Sequence, residues 1–102
     1  MVRRAARVDQ NHAEVVDALR KAGCSVVSLA AIGKGCPDLL AARSGRTVLL
    51  EVKLPKGKLN DEQSDFHAAW LGEIATVRSA EEAIAVMSRP GAYTRLSAGA
   101  YA

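Results

Sequence analysis

A chain of 102 residues, 49% of them hydrophobic, has room for one domain with a modest core and none for a second. Its formal charge of +3 and isoelectric point near 9.1 suit a polyanionic partner without demanding one. No apolar run is long enough to span a bilayer, and Met1-Val2-Arg3-Arg4 leads into no signal-peptide core, so a soluble cytoplasmic protein is expected.

Arg3, Arg4 and Arg7 form a basic arm over residues 1–8, suited to a phosphate backbone and equally to fraying in solvent. Asp9 reads as the N-cap of a first helix over about 10–22, where Ala13, Val15, Val16 and Leu19 recur at helical spacing until Gly23 breaks it. The β-branched run from Cys24 to Leu29 reads as a first strand. In the loop that follows, Gly33 and Gly35 flank Lys34, permitting tight turns or close approach to a ligand and placing Lys34 where it can meet a phosphate.

Two further strands, Asp38 to Arg43 and Thr47 to Lys53, form a hairpin around a Ser44-Gly45-Arg46 turn. Side chains alternate along a strand, so Val48, Leu50 and Val52 point one way while Leu49, Glu51 and Lys53 point the other. Glu51 and Lys53 therefore share a face, and Asp38 arrives beside them from the preceding strand. A solvated edge or a structural ion pair uses the same residue types. Apolar neighbours on both sides nevertheless predict a buried Glu51, and a buried carboxylate needs a cation, a hydrogen-bond donor or a metal.

Leu54-Pro55-Lys56-Gly57-Lys58 ends the strand and opens a basic loop, with Lys56 and Lys58 set to grip a nucleic-acid strand by its phosphates. Asn60 caps a helix over about 61–71, with Gln63 completing a capping box and Phe66, Ala69 and Trp70 forming a core-facing stripe; Trp70 is expected in packing rather than on a base. Ile74 to Val77 reads as a fourth strand. Ser79 and Glu82 form a second capping box, opening a helix to about Met87 with Ala80, Ala83, Ile84 and Met87 on its apolar face. Residues 89–102, with Tyr93 and Tyr101, lack periodicity and are expected to be loosely ordered or an oligomer contact.

Cys24 and Cys36 make no disulfide framework and are expected as reduced thiols, and with His12 and His67 they lack the close pairs of a zinc site. The element order is helix, three strands, helix, strand, helix. It predicts an α/β domain with a mixed sheet flanked by helices, its core spanning about 9–88.

Pro37-Asp38, followed by Glu51-Val52-Lys53 at the end of the next strand, resembles the PD-(D/E)XK nuclease superfamily. The wider Gly33-x-Gly35-x-Pro37-Asp38-Leu39 pattern, with Gln63 in the next helix, is similar to the small phage and bacterial branch that includes VRR-NUC and Holliday-junction-resolvase-like domains, over roughly Asp9 to Val77. The resemblance implies a restriction-endonuclease-like αβββαβ core and an endonuclease acting on DNA, with branched or flapped structures as substrates; nonspecific or nicking action on duplex DNA fits the same residues equally well. It also implies that Glu14, in the first helix, completes the metal site, and that Gln63 reaches toward it. An ordinary exposed helical Glu and a plain capping residue are the competing readings of those two.

The chemistry needed is a nucleophilic water, neutralisation at the phosphoryl oxygens and help for the leaving alkoxide. Asp38, Glu51 and the Val52 carbonyl are hard oxygen ligands for Mg²⁺, for which Mn²⁺ would substitute, and Lys53 would orient or help deprotonate the water. Cutting two strands with so small a domain suits a symmetric homodimer, and a strand-specific monomer is the competing reading. The alternative is a noncatalytic DNA-binding or protein-interaction module whose acids and lysine only pair with each other.

Overall fold

The computed structural model describes residues 11–89. The basic arm with Arg3 and Arg4, the Asp9 cap and the tail with Tyr93 and Tyr101 lie outside them. Seven elements follow in the expected order: α1 (His12–Lys21), β1 (Ser25–Ser28), β2 (Leu39–Arg43), β3 (Arg46–Val52), α2 (Asp61–Ala69), β4 (Ile74–Val77) and α3 (Ala80–Ser88).

The strands form one mixed sheet in the order β1-β2-β3-β4. β1 and β2, like β2 and β3, pair antiparallel, whereas β4 lies parallel to β3. A parallel neighbour requires a crossover, and α2 lies within it. The β2–β3 turn has positive φ at both central residues, Ser44 and Gly45, the hairpin geometry whose twist matches that of the strands. Arg43 pairs directly with Arg46 across it.

One face of the sheet holds the core. Val26, Leu39, Ala41, Val48, Leu50, Val52 and Val77 meet Val15 and Leu19 of α1 and Ala83 and Met87 of α3. The alternation expected in β3 is present, but β3 is buried on both faces, with Leu49 and Glu51 also covered.

Three expectations change. Arg46 is not a turn residue: it opens β3, points into the helix-covered face and is 3% exposed. Its guanidinium grips both Glu73 oxygens, at 2.8 and 3.0 Å, and donates to the carbonyls of Val86 and of Arg89 at the end of α3. A cation is favoured at a helix C-terminus, where carbonyls lack partners. The second difference is α2, which ends at Ala69 and has no buried residue. Trp70 is 44% exposed and stacks on Phe66, ring centroids 5.4 Å apart, instead of entering the core. The third is the cap of α3: Ser79 Oγ accepts from Glu82 N–H at 3.0 Å, but Glu82 returns its bond to the N–H of Arg78, at 2.7 Å, rather than to that of Ser79.

Cys24 and Cys36 are free thiols. No helix among the described residues is long and apolar enough to cross a membrane.

Candidate active site

Leu39 pairs with Leu50, so one step further along the same register sets Asp38 across from Glu51. Glu51 sits in β3 on the face opposite the core and is 2% exposed. Asp38 Oδ2 accepts from the backbone N–H of Val52 at 2.8 Å. A hydrogen bond to a charged acceptor is worth about 2 kcal/mol, and this one ties the end of the Gly33–Asp38 loop to β3. Lys53 follows the strand and continues its pairing, its N–H donating to the Val77 carbonyl at 2.9 Å.

Gln63 occupies the third position of α2. Its Oε1 accepts from Asn60 N–H at 2.9 Å, while Asn60 Oδ1 accepts from Gln63 N–H at 2.9 Å, giving a complete capping box. Its Nε2 also donates to Glu51 Oε2 at 3.3 Å. The one side chain thus closes the cap and also touches Glu51.

Gly35 explains how α2 comes so near. With φ at +80° it lies against the first turn of α2, and a Cβ there would collide with the Glu62 carbonyl. Any other residue would push the loop and α2 apart. Cys36, next in the loop, has its thiol pKa raised, chiefly by burial and then by the negative charges of Glu51 and Asp38. The thiol is therefore a protonated neighbour of both carboxylates.

The described residues contain no group of three His, Cys, Asp or Glu side chains close enough to hold a metal. Glu14 stands exposed in the first turn of α1. The fit to a cation thus depends on Asp38 and Glu51, both hard oxygen donors. That set suits Mg²⁺, which takes one or two carboxylates and keeps several waters.

Lys34, Lys56 and Lys58 are exposed and Lys53 is half-buried. Lys34 has φ at +58°, between Gly33 at +71° and Gly35 at +80°.

Sequence reasoning passed over Asn11 and Arg78, which bond to the backbone around Lys53. Asn11 is a residue type that favours helix starts, which was the one signal available. Nothing local marks Arg78.

A mixed four-stranded sheet with three helices, its two carboxylates and a lysine gathered at the end of the hairpin, defines a protein of restriction-endonuclease-like fold. A family model described as archaeal Holliday junction resolvase (Hjc) matches residues 4–67, more than half of the chain, and the chain belongs to that family. The expected Holliday-junction-resolvase-like branch is thereby borne out, and membership implies a nuclease of branched DNA. No individual curated protein and no solved structure matches the chain.

Proposed function

We propose that this chain is a Mg²⁺-dependent endonuclease that hydrolyses phosphodiester bonds in branched DNA, acting as a symmetric dimer. The observation that carries the reading is the placement of Asp38 and Glu51 opposite one another with Lys53 immediately beyond.

Asp38 and Glu51, with the Val52 carbonyl, would hold the cation. Bound there, it would supply charge neutralisation at the phosphoryl oxygens and acidify a water. Gln63 orients the Glu51 carboxylate by donating to Oε2. The Val52 N–H does the same for Asp38. Lys53 orients the attacking water and sets its positive charge against the negative charge that develops on the phosphoryl oxygens in the transition state. Lys34, Lys56 and Lys58, with the arm carrying Arg3 and Arg4, grip phosphates without reading sequence.

The test uses fluorescent four-way-junction, flapped, duplex and single-stranded DNA in Mg²⁺, Mn²⁺ and EDTA. Lys53→Ala and Glu51→Gln are run alongside to exclude a contaminating nuclease. Metal-dependent cutting of the junction, lost in both variants while they stay folded, is the expected result. Cutting that persists in Lys53→Ala would remove Lys53 from the chemistry. No cutting by the parent protein, together with no metal binding by calorimetry and a Glu51→Gln variant of equal or greater stability, would establish the noncatalytic module instead.

A further inference from the structure

We propose that Asn11 and Arg78 are positioning residues that together hold Lys53 in its working place, an inference that rests on the nuclease reading above.

Lys53 lies one residue past the end of β3, where strand pairing alone no longer fixes it. Its N–H is held by the Val77 carbonyl at 2.9 Å. Its carbonyl accepts from Asn11 Nδ2 at 3.2 Å, and the same amide gives its second hydrogen to the Arg78 carbonyl at 3.1 Å. Asn11 immediately precedes α1, yet its side chain makes no capping bond to that helix. Its amide hydrogens are spent on the tie between the ends of β3 and β4.

The third restraint reaches the side chain. Gly57 N–H donates to the Leu54 carbonyl at 2.9 Å, closing a turn. The turn brings Gly57 so far back that a Cβ there would lie 3.5 Å from Lys53 Cβ and 3.3 Å from Leu54 O. Arg78 reaches across from the end of β4 and donates to the Gly57 carbonyl at 2.9 Å. Lys53 is thus bounded by its own strand's neighbour, by the start of α1 and by a turn that Arg78 pins.

A lysine carries its charge on a flexible stem, so the position of its Cα and Cβ decides where the ammonium spends its time. A misplacement of about 1 Å can cost about a hundredfold in rate. Asn11 and Arg78 therefore act on the chemical step through Lys53, without touching DNA.

The experiment measures single-turnover cleavage of a four-way junction by the full chain at saturating enzyme and Mg²⁺. The variants are Asn11→Ala, Arg78→Ala, Arg78→Lys and Gly57→Ala. Junction affinity, melting temperature and amide hydrogen exchange at Lys53 and Gly57 are followed in parallel. The expected result is a cleavage step slowed about ten- to a hundredfold in Asn11→Ala and Arg78→Ala, with affinity within about twofold of the parent. Arg78→Lys, which keeps one donor for Gly57, recovers part of the rate. Gly57→Ala, whose new Cβ presses on Leu54 O, is slowed in the same sense, and it carries the test should Asn11→Ala fail to fold.

Parent-like cleavage rates in the folded alanine variants would overturn the proposal. So would a loss confined to affinity, which would make Arg78 a residue that grips DNA. If the parent cuts nothing, the nuclease reading fails by itself; unchanged exchange at Lys53 and Gly57 in the variants would then separately show that the tie does not exist.

Discussion

The carboxamide of Gln63 has a carbonyl end and an amino end, and the chain uses them in different directions. The carbonyl closes the capping box on Asn60 N–H while the amino group steadies Glu51. A carboxylate at this position would keep the cap and repel Glu51, so Gln rather than Glu is what the double role needs. Lys34 illustrates a different compromise. Its positive φ of +58° costs a residue with a Cβ about 1 kcal/mol or more, and the side chain remains in solvent. Lys34→Gly should therefore hold or raise the urea midpoint, since relief of that strain outweighs the extra freedom glycine has when unfolded. The same change should weaken junction binding and lower the salt slope by about one. A salt slope that does not move would take Lys34 off the phosphate path. The placement of Asp38 across from Glu51, with Lys53 just beyond, was legible because a hairpin and strand alternation assign neighbours and faces from local sequence. Arg46 was not, because its partners Glu73, Val86 and Arg89 are distant in sequence.

Elements were legible wherever the signal is local. β4 was expected over the residues it occupies, and α2 begins at its expected cap, both being marked by residues within four positions of one another. The reciprocal bond of the α3 cap moved by one residue, Glu82 accepting from Arg78 N–H in place of Ser79 N–H. His67, in the last turn of α2, shows two local effects in opposition. A helix C-terminus favours the charged imidazolium, yet burial prevails and lowers the pKa from 6.5. Its Nε2 is covered and has no hydrogen-bond partner among the described residues. A folded pKa below the unfolded one means that the unfolded chain binds the proton more readily, so stability falls with pH below about 6.5 until both states are protonated. Thermal melts between about pH 7.5 and pH 5 should show that loss in the parent and a smaller one in His67→Gln. Equal slopes for the two proteins would mean that His67 is hydrated in the fold.

At the scale of the molecule, the stripe that sequence periodicity assigns to the core is the feature this chain does not bury. Periodicity reports that a face is apolar, not what covers it. Val27, Leu40 and Leu49 share one sheet face by register. Leu40 and Leu49 line a groove with Trp70, while Val27 is 55% exposed and Leu71, next to Trp70, is fully exposed. A four-way junction has two symmetry-related strands to cut, and the described chain holds one pair of carboxylates with one lysine. A second copy meeting the first through this apolar face would supply the second site and cover the stripe in one step, since a two-fold contact uses the same patch on both partners. The parent should therefore sediment as a dimer, and Val27→Glu combined with Leu71→Glu should sediment as a folded monomer, because both positions face solvent in the separate chain and charge there opposes only association. The monomer should still nick one strand of the junction in Mg²⁺ but should leave nicked intermediates where the dimer yields paired cuts. A parent that sediments as a monomer while making paired cuts would break the link between this surface and the reaction.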